Sequence, residues 1–138
     1  MMVDVSGKPP VRRQAVAEGC FTARSETIDR LLRGDLPKGE ALAVARIAGI
    51  QAAKDCSRMI PLCHPLPIEH VSVEFHRDND TTLRIRTTAL VIARTGIEME
   101  ALAAVMGAAL CLWDMTKAID DSLSIDSVRL VEKHKEER

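Results

Sequence analysis

The chain has 138 residues, of which 46% are hydrophobic and 28% charged, with a net charge of −1. This is the composition of a globular chain rather than a disordered one, and the length suits one domain with its own core. Near-neutral charge, with Phe21, Phe75 and Trp113 as the only aromatics, argues against nucleic-acid binding, an anionic membrane surface and a stacking platform for single strands.

Residues 1–12, with Gly7, Pro9 and Pro10, read as a flexible N-terminal arm ahead of a single α+β domain over 13–133 and a charged C-terminal tail over 134–138. Arg13–Ala23 reads as a short strand, since Ala15, Ala17 and Phe21 share one parity. Ser25 suits the N-cap of a short helix carrying Ile28, Leu31 and Leu32, which Gly34 stops. A second helix is expected over Leu36–Ser57, with Pro37 in its first turn and Leu42, Ala43, Ile47 and Ile50 as its apolar stripe.

Ile60–Pro67, IPLCHPLP, holds three prolines in eight residues. It can be neither helix nor central strand, and is expected to be a rigid loop. Ile68–Arg77 alternates through Val71, Val73 and Phe75, with His70 and His76 on the opposite, outward parity. Thr81–Ile92 alternates through Leu83, Ile85, Thr87 and Ala89, and Asp78-Asn79-Asp80 between them completes a hairpin.

Thr95–Lys117 follows. Its middle, Ala101 to Leu112, has no charged residue, so a mostly buried helix is expected, too short in its apolar run to span a bilayer. Ser127–Val131 reads as a last short strand. The order strand–helix–strand–strand–helix–strand points to an α+β fold, ferredoxin-like, with an antiparallel sheet and helices packed on one face.

The long helix carries ionisable residues at both rims. Thr95 and Glu98 have the spacing of a capping box, and Glu100 sits where the helix dipole favours acids. Asp114 and Lys117 share a helix face; as an exposed ion pair they add little stability, but a partly buried lysine beside a carboxylate has a proton affinity suited to acid–base work. Glu100 and Asp114 are fourteen residues apart, roughly 21 Å along a continuous helix. One small-molecule site therefore draws on both rims only if a second subunit brings its opposite end alongside.

In the loop, Pro61 and Pro65 clamp Cys63-His64. The four cysteines at 20, 56, 63 and 111 form no CxxC pair, and without a signal peptide they read as free thiols of a cytoplasmic protein. Cys56 and Cys63-His64 match no standard zinc spacing, so no metal is expected. Lys38-Gly39 at a helix start is either an anion site or an ordinary surface lysine. No GxxxxGK[ST] or GxGxxG is present, which excludes a standard phosphate loop.

IPLCHPLP, RTGIEMEAL and WDMTKA, with KGEALAVARIAGIQAAK and MVDVSGKP, resemble the C-protein family of molybdenum-cofactor biosynthesis, the cyclic pyranopterin monophosphate synthases, through nearly the whole chain. The resemblance implies a homohexamer built as a trimer of dimers with interface active sites. It implies conversion of 3′,8-cyclo-7,8-dihydro-GTP to cyclic pyranopterin monophosphate with release of pyrophosphate. By motif it assigns Asp114, Lys117 and Lys38 as catalytic, and Leu62, Cys63, His64, Glu98, Met99, Glu100 and Lys133 as substrate-binding.

Within that reading Lys117, oriented by Asp114, is the general acid or base. Lys38, Lys133 and His64 neutralise the triphosphate, and Glu98-Met99-Glu100 hold the guanine-derived ring. No cofactor is required; Mg²⁺ accompanying the triphosphate is compatible but does not follow. The chain departs from the family where HKEER replaces a glycine-rich tail and Trp113 replaces a tyrosine. The alternative is a catalytically weakened paralogue acting as an oligomeric pterin- or nucleotide-binding module.

Overall fold

The computed structural model describes residues 1–136. Four antiparallel strands form one sheet in the order β2-β3-β1-β4, from β1 (Val11–Thr22), β2 (Ile68–Asn79), β3 (Thr82–Ala93) and β4 (Ser124–Glu136). Helices α2 (Ala41–Lys54) and α4 (Glu98–Thr116) cover one face; α1 (Ser25–Arg33) and the single turn α3 (Cys56–Met59) complete the connection from β1 to β2. Splitting each strand–helix–strand unit around a middle strand is the ferredoxin-like arrangement, and the expected α+β fold holds.

The hairpin falls where alternation placed it. Val73, Leu83, Ile85, Thr87 and Ala89 point into the core, and His70 and His76 are exposed. The core is aliphatic around one aromatic, Phe21, with Ile28, Leu31, Ile97 and Leu112 among its largest members.

Several local expectations are corrected by tertiary contacts. β1 starts at Val11 rather than after residue 12, because Val11 is buried and pairs with Ala93. Ser25 is the first residue of α1 rather than its N-cap; Arg24 takes that position and no side chain of its own caps it. The cap comes from 96 residues away: Asp120 Oδ2 accepts the Arg24 amide at 2.9 Å and the Thr27 hydroxyl at 2.7 Å.

The expected Leu36–Ser57 helix is shorter and broken. Gly39 has φ 105°, outside the helical region and open chiefly to glycine, so Pro37 and Lys38 lie in a turn and α2 begins at Ala41. Its fully buried stripe is Ala41, Ala45, Gly49 and Ala53; of the expected stripe, Leu42 and Ile50 pack half-buried against the core, whereas Ile47 is 67% exposed. Close approach to α4 explains the choice. A Cβ on Gly107 would meet Ala52 Cβ at 2.5 Å and the Ala48 carbonyl at 2.9 Å, and one on Gly49 would meet the Ala104 carbonyl at 2.9 Å.

Gly107→Ala tests this packing. The gain in helix propensity is about 1 kcal/mol, whereas forcing apart a filled helix interface costs about 1–3 kcal/mol. A net loss of stability in chemical denaturation is expected; an unchanged or higher midpoint would mean that the helices separate freely.

α4 has 19 residues, enough by length and composition to cross a bilayer, but over half of it is buried in the fold. Its sheet-facing side includes Ala101, Ala104, Val105, Ala108 and Leu112, while Met106, Leu110 and Trp113 remain exposed on the far side. The expected last strand over Ser127–Val131 runs instead from Ser124 to Glu136, because it pairs along β1 from Thr22 back to Arg12. Lys133, His134, Lys135 and Glu136 are thus strand residues; the remaining tail positions, 137 and 138, lie outside the described residues.

Candidate active site

The proline-rich loop and the first turn of α4 enclose a cavity of ≈ 430 Å³. Leu62, Cys63 and His64 line it from the loop, and Glu98, Met99 and Glu100 from the helix. The N-terminal arm lies across it through Val3, Val5 and Lys8. His64 Nε2 is 2.8 Å from the Val3 carbonyl. A carbonyl only accepts, so Nε2 carries the proton and joins loop to arm.

Thr95 is not the helix N-cap. Ile97 takes that position and is itself buried, so α4 starts at Glu98 without a side-chain cap. Glu98 is thereby released from the expected capping box, and its Oε1 lies 3.5 Å from Lys133 Nζ on β4. That ion pair joins Lys133 to the cavity's edge.

Glu100 is only 2% exposed. Its Oε2 accepts a weak hydrogen bond from Cys63 Sγ at 3.7 Å, and its buried Oε1 has no hydrogen-bond partner among the described residues. Burial pushes its carboxyl above the usual range, opposed by hydrogen bonds and assisted by the Glu98 charge. Burial also raises the Cys63 thiol, and it pushes that of Cys56, behind the loop, up to about 12 with help from Glu100. The cavity thus offers one half-buried acid, one buried acid with spare acceptor capacity, and a histidine held in place.

A second cluster lies at the other end of α4. Asp114 Oδ2 is 2.8 Å from Lys38 Nζ, and Oδ1 is 2.9 Å from Lys117 Nζ. Each carboxylate oxygen has its own ammonium, and hydrogen bonds from Lys38 and then Lys117 hold the Asp114 carboxyl down at about 2. Lys38 arrives from the turn before α2 rather than from a helix start, and instead of either an anion site at a helix N-terminus or an ordinary surface lysine it is a lysine paired to α4. Two cations on one anion leave the cluster with a net positive charge, suited to a phosphate group.

The ten residues singled out from sequence therefore divide in two. Leu62, Cys63, His64, Glu98, Met99, Glu100 and Lys133 gather at the cavity; Lys38, Asp114 and Lys117 gather at the far end of the same unbroken helix. Sequence reasoning missed the arm as a wall of the cavity and Cys56 as a neighbour of Cys63 and Glu100. The polar, proline-bearing arm carries no periodicity, and Cys56 meets Glu100 only through tertiary packing.

Fold and site define a ferredoxin-like α+β protein with an acid-lined cavity and a lysine–carboxylate cluster at opposite ends of one helix. A family model described as the MoaC family matches residues 2–136. The chain is 52% identical over 133 residues to the "Cyclic pyranopterin monophosphate synthase" of Roseiflexus castenholzii, covering 96% of this chain and 84% of that protein. It is 49% identical over 133 residues to the protein of the same name from Thermomicrobium roseum, covering 96% and 80%. A "Molybdenum cofactor biosynthesis bifunctional protein" of Chlorobaculum tepidum is 51% identical over 132 residues, covering 96% of this chain and 42% of that one. The chain belongs to the MoaC family.

Proposed function

We propose that this protein is a cyclic pyranopterin monophosphate synthase of molybdenum-cofactor biosynthesis, converting 3′,8-cyclo-7,8-dihydro-GTP to cyclic pyranopterin monophosphate and releasing pyrophosphate. The observation that carries the proposal is near-full-length similarity, at about half identity, to proteins of that name. Geometry supplies the chemistry. Glu98 and Glu100 accept hydrogen bonds from the ring NH and amino groups of the guanine-derived ring, with Met99, Leu62 and Cys63 packed around it. Closing a cyclic monophosphate while expelling pyrophosphate requires stabilised negative charge; Lys38, Lys133 and His64 provide it. Lys117, held by Asp114, moves a proton at the rearranging ring.

Both clusters serve one substrate only across a subunit boundary, since α4 separates them by about 20 Å within one chain. We therefore extend the proposal to a homo-oligomer, a hexamer built as a trimer of dimers with interface sites. The outward stripe of α4, including Leu110 at 59% exposure and Met106 and Trp113, gives apolar surface for such contacts. Four free cysteines fit a reducing cytoplasm. No cofactor is required in this reading, and Mg²⁺ travelling with the triphosphate is compatible with it.

The test is direct. Purified protein incubated with the cyclised intermediate should release pyrophosphate stoichiometrically with the cyclic monophosphate. Binding of the intermediate without pyrophosphate release would overturn the enzymatic reading in favour of a binding module.

A further inference from the structure

The proposed reaction gives Cys56 no role, yet this fully buried thiol lies against Cys63 and Glu100, two residues that line the cavity. Its Sγ, the Sγ of Cys63 and a carboxylate oxygen of Glu100 all lie within 4.8 Å of one another. They come from three separate elements: α3, the proline loop and α4. The sequence distance between the cysteines matches no zinc motif because the third donor lies 37 residues beyond Cys63.

Two observations point to a ligand. The donors converge, and Glu100, 2% exposed, keeps a buried Oε1 with no hydrogen-bond partner among the described residues. Two sulfurs and a carboxylate are the donor set of a thiophilic divalent cation, with bonds of about 2.3 Å to sulfur and about 2.0–2.2 Å to oxygen. A tetrahedron with those bonds spaces its ligand atoms by about 3.5–3.8 Å. Cys63 Sγ and Glu100 Oε2 are already 3.7 Å apart, and Cys63 sits on a partly exposed loop from which its side chain can adjust. Cys63 and Glu100 both line the cavity, which gives a bound cation access to an exchangeable fourth ligand.

We propose that Cys56, Cys63 and Glu100 form a site for one thiophilic divalent cation of the zinc class, with its fourth position open to the cavity. A cation held there takes Cys63 and Glu100 away from an incoming substrate. Metal and substrate then compete, a consequence that rests on the function proposed above, whereas the site itself does not.

The full chain, stripped with a chelator and kept in a phosphine reductant so that Cys56 and Cys63 stay reduced, is titrated with Co²⁺ alone and then Zn²⁺ alone. Wild-type protein should develop sulfur-to-cobalt charge-transfer absorption that saturates at one equivalent per chain and disappears as Zn²⁺ displaces Co²⁺. Losing an outer partner of a metal site costs about 10–100-fold in affinity, so Cys56→Ser and Glu100→Gln should each weaken binding by more than about 100-fold. A double Cys20→Ser, Cys111→Ser variant should match wild type.

The wild-type titration needs no variant to fold. Absence of the charge-transfer band, its survival in Cys56→Ser, or its loss in the Cys20/Cys111 double variant would each overturn the site. Because no substrate is present, failure here leaves pyrophosphate release untouched, and failure of pyrophosphate release leaves the metal titration to stand or fall separately.

Discussion

Replacing Lys117 with alanine should lower turnover by about 10²–10⁴-fold, the usual contribution of a positioned acid or base, while folding stability changes by at most about 1 kcal/mol. The asymmetry is the point. The Lys38–Asp114–Lys117 cluster is about half exposed, where ion pairs contribute little to the fold. In the proposed reaction the same geometry would act on a developing charge. Lys117→Arg separates two roles, since a guanidinium keeps the charge but does not give up its proton. Rescue by arginine would assign Lys117 to electrostatics; failure of rescue assigns it proton transfer. Near-normal turnover in a folded Lys117→Ala protein would remove it from the mechanism.

Mixing variants then tests the shared site. Lys117→Ala and Glu100→Gln proteins, each inactive alone, should recover part of the activity once unfolded and refolded together. A hybrid dimer assembles one intact site from Glu100 of the first chain and Lys117 of the second. Absence of recovery, with hybrids demonstrated by mass, would place both residues in a single-chain site and contradict the length of α4.

How far the sequence could be read depended on where each specifying interaction lay. The β2–β3 hairpin is local: alternation sets its faces, and the turn falls at Asp80-Thr81, at the end of the expected Asp78-Asn79-Asp80, where the Asn79 side chain accepts the Thr81 amide. The inward face of α2 was only partly legible because apolar size favours Leu42 and Ile47, whereas close approach to α4 puts small residues, Ala41, Ala45, Gly49 and Ala53, at the fully buried positions and leaves Ile47 outside. Thr95-x-x-Glu98 offered a local cap, and burial of Ile97 moved the helix start past it. β4 runs far beyond its readable core because exposed residues carry no alternation signal, yet still pair with the edge of β1.

The site followed the same division. Short motifs on single elements located Leu62-Cys63-His64, Glu98-Met99-Glu100 and the Asp114–Lys117 pair, whereas Lys38 and Lys133 were picked out singly, by resemblance. Their partners were not readable. Lys133 reaches Glu98 across the sheet, the arm meets His64, and Cys56 meets Glu100. Each of these joins segments far apart in the chain.

Asp120→Ala should destabilise the fold by about 1–3 kcal/mol, the cost of leaving buried hydrogen-bond donors without their acceptor. Asp120 is 3% exposed. It accepts the Arg24 amide and Thr27 hydroxyl on Oδ2, and the Ser122 amide and hydroxyl on Oδ1 at 2.8 and 2.6 Å. It thereby caps α1 and closes the turn between α4 and β4. Burial alone would raise its carboxyl; the hydrogen bonds from Ser122, Arg24 and Thr27 outweigh burial and hold it well below the usual range. A carboxyl lowered on folding contributes stability that is fully present above its unfolded value of about 3.9 and is lost as pH falls toward the folded value. Wild-type stability, followed by denaturant titration from neutral pH downward, should therefore fall more steeply below about pH 4 than that of Asp120→Asn. Asn keeps one acceptor but cannot ionise, so comparing it with wild type cancels the contributions of Asp114 and Glu100. Parallel curves for the two proteins would show that the charge on Asp120 does not stabilise the fold, leaving its role to hydrogen-bond geometry alone.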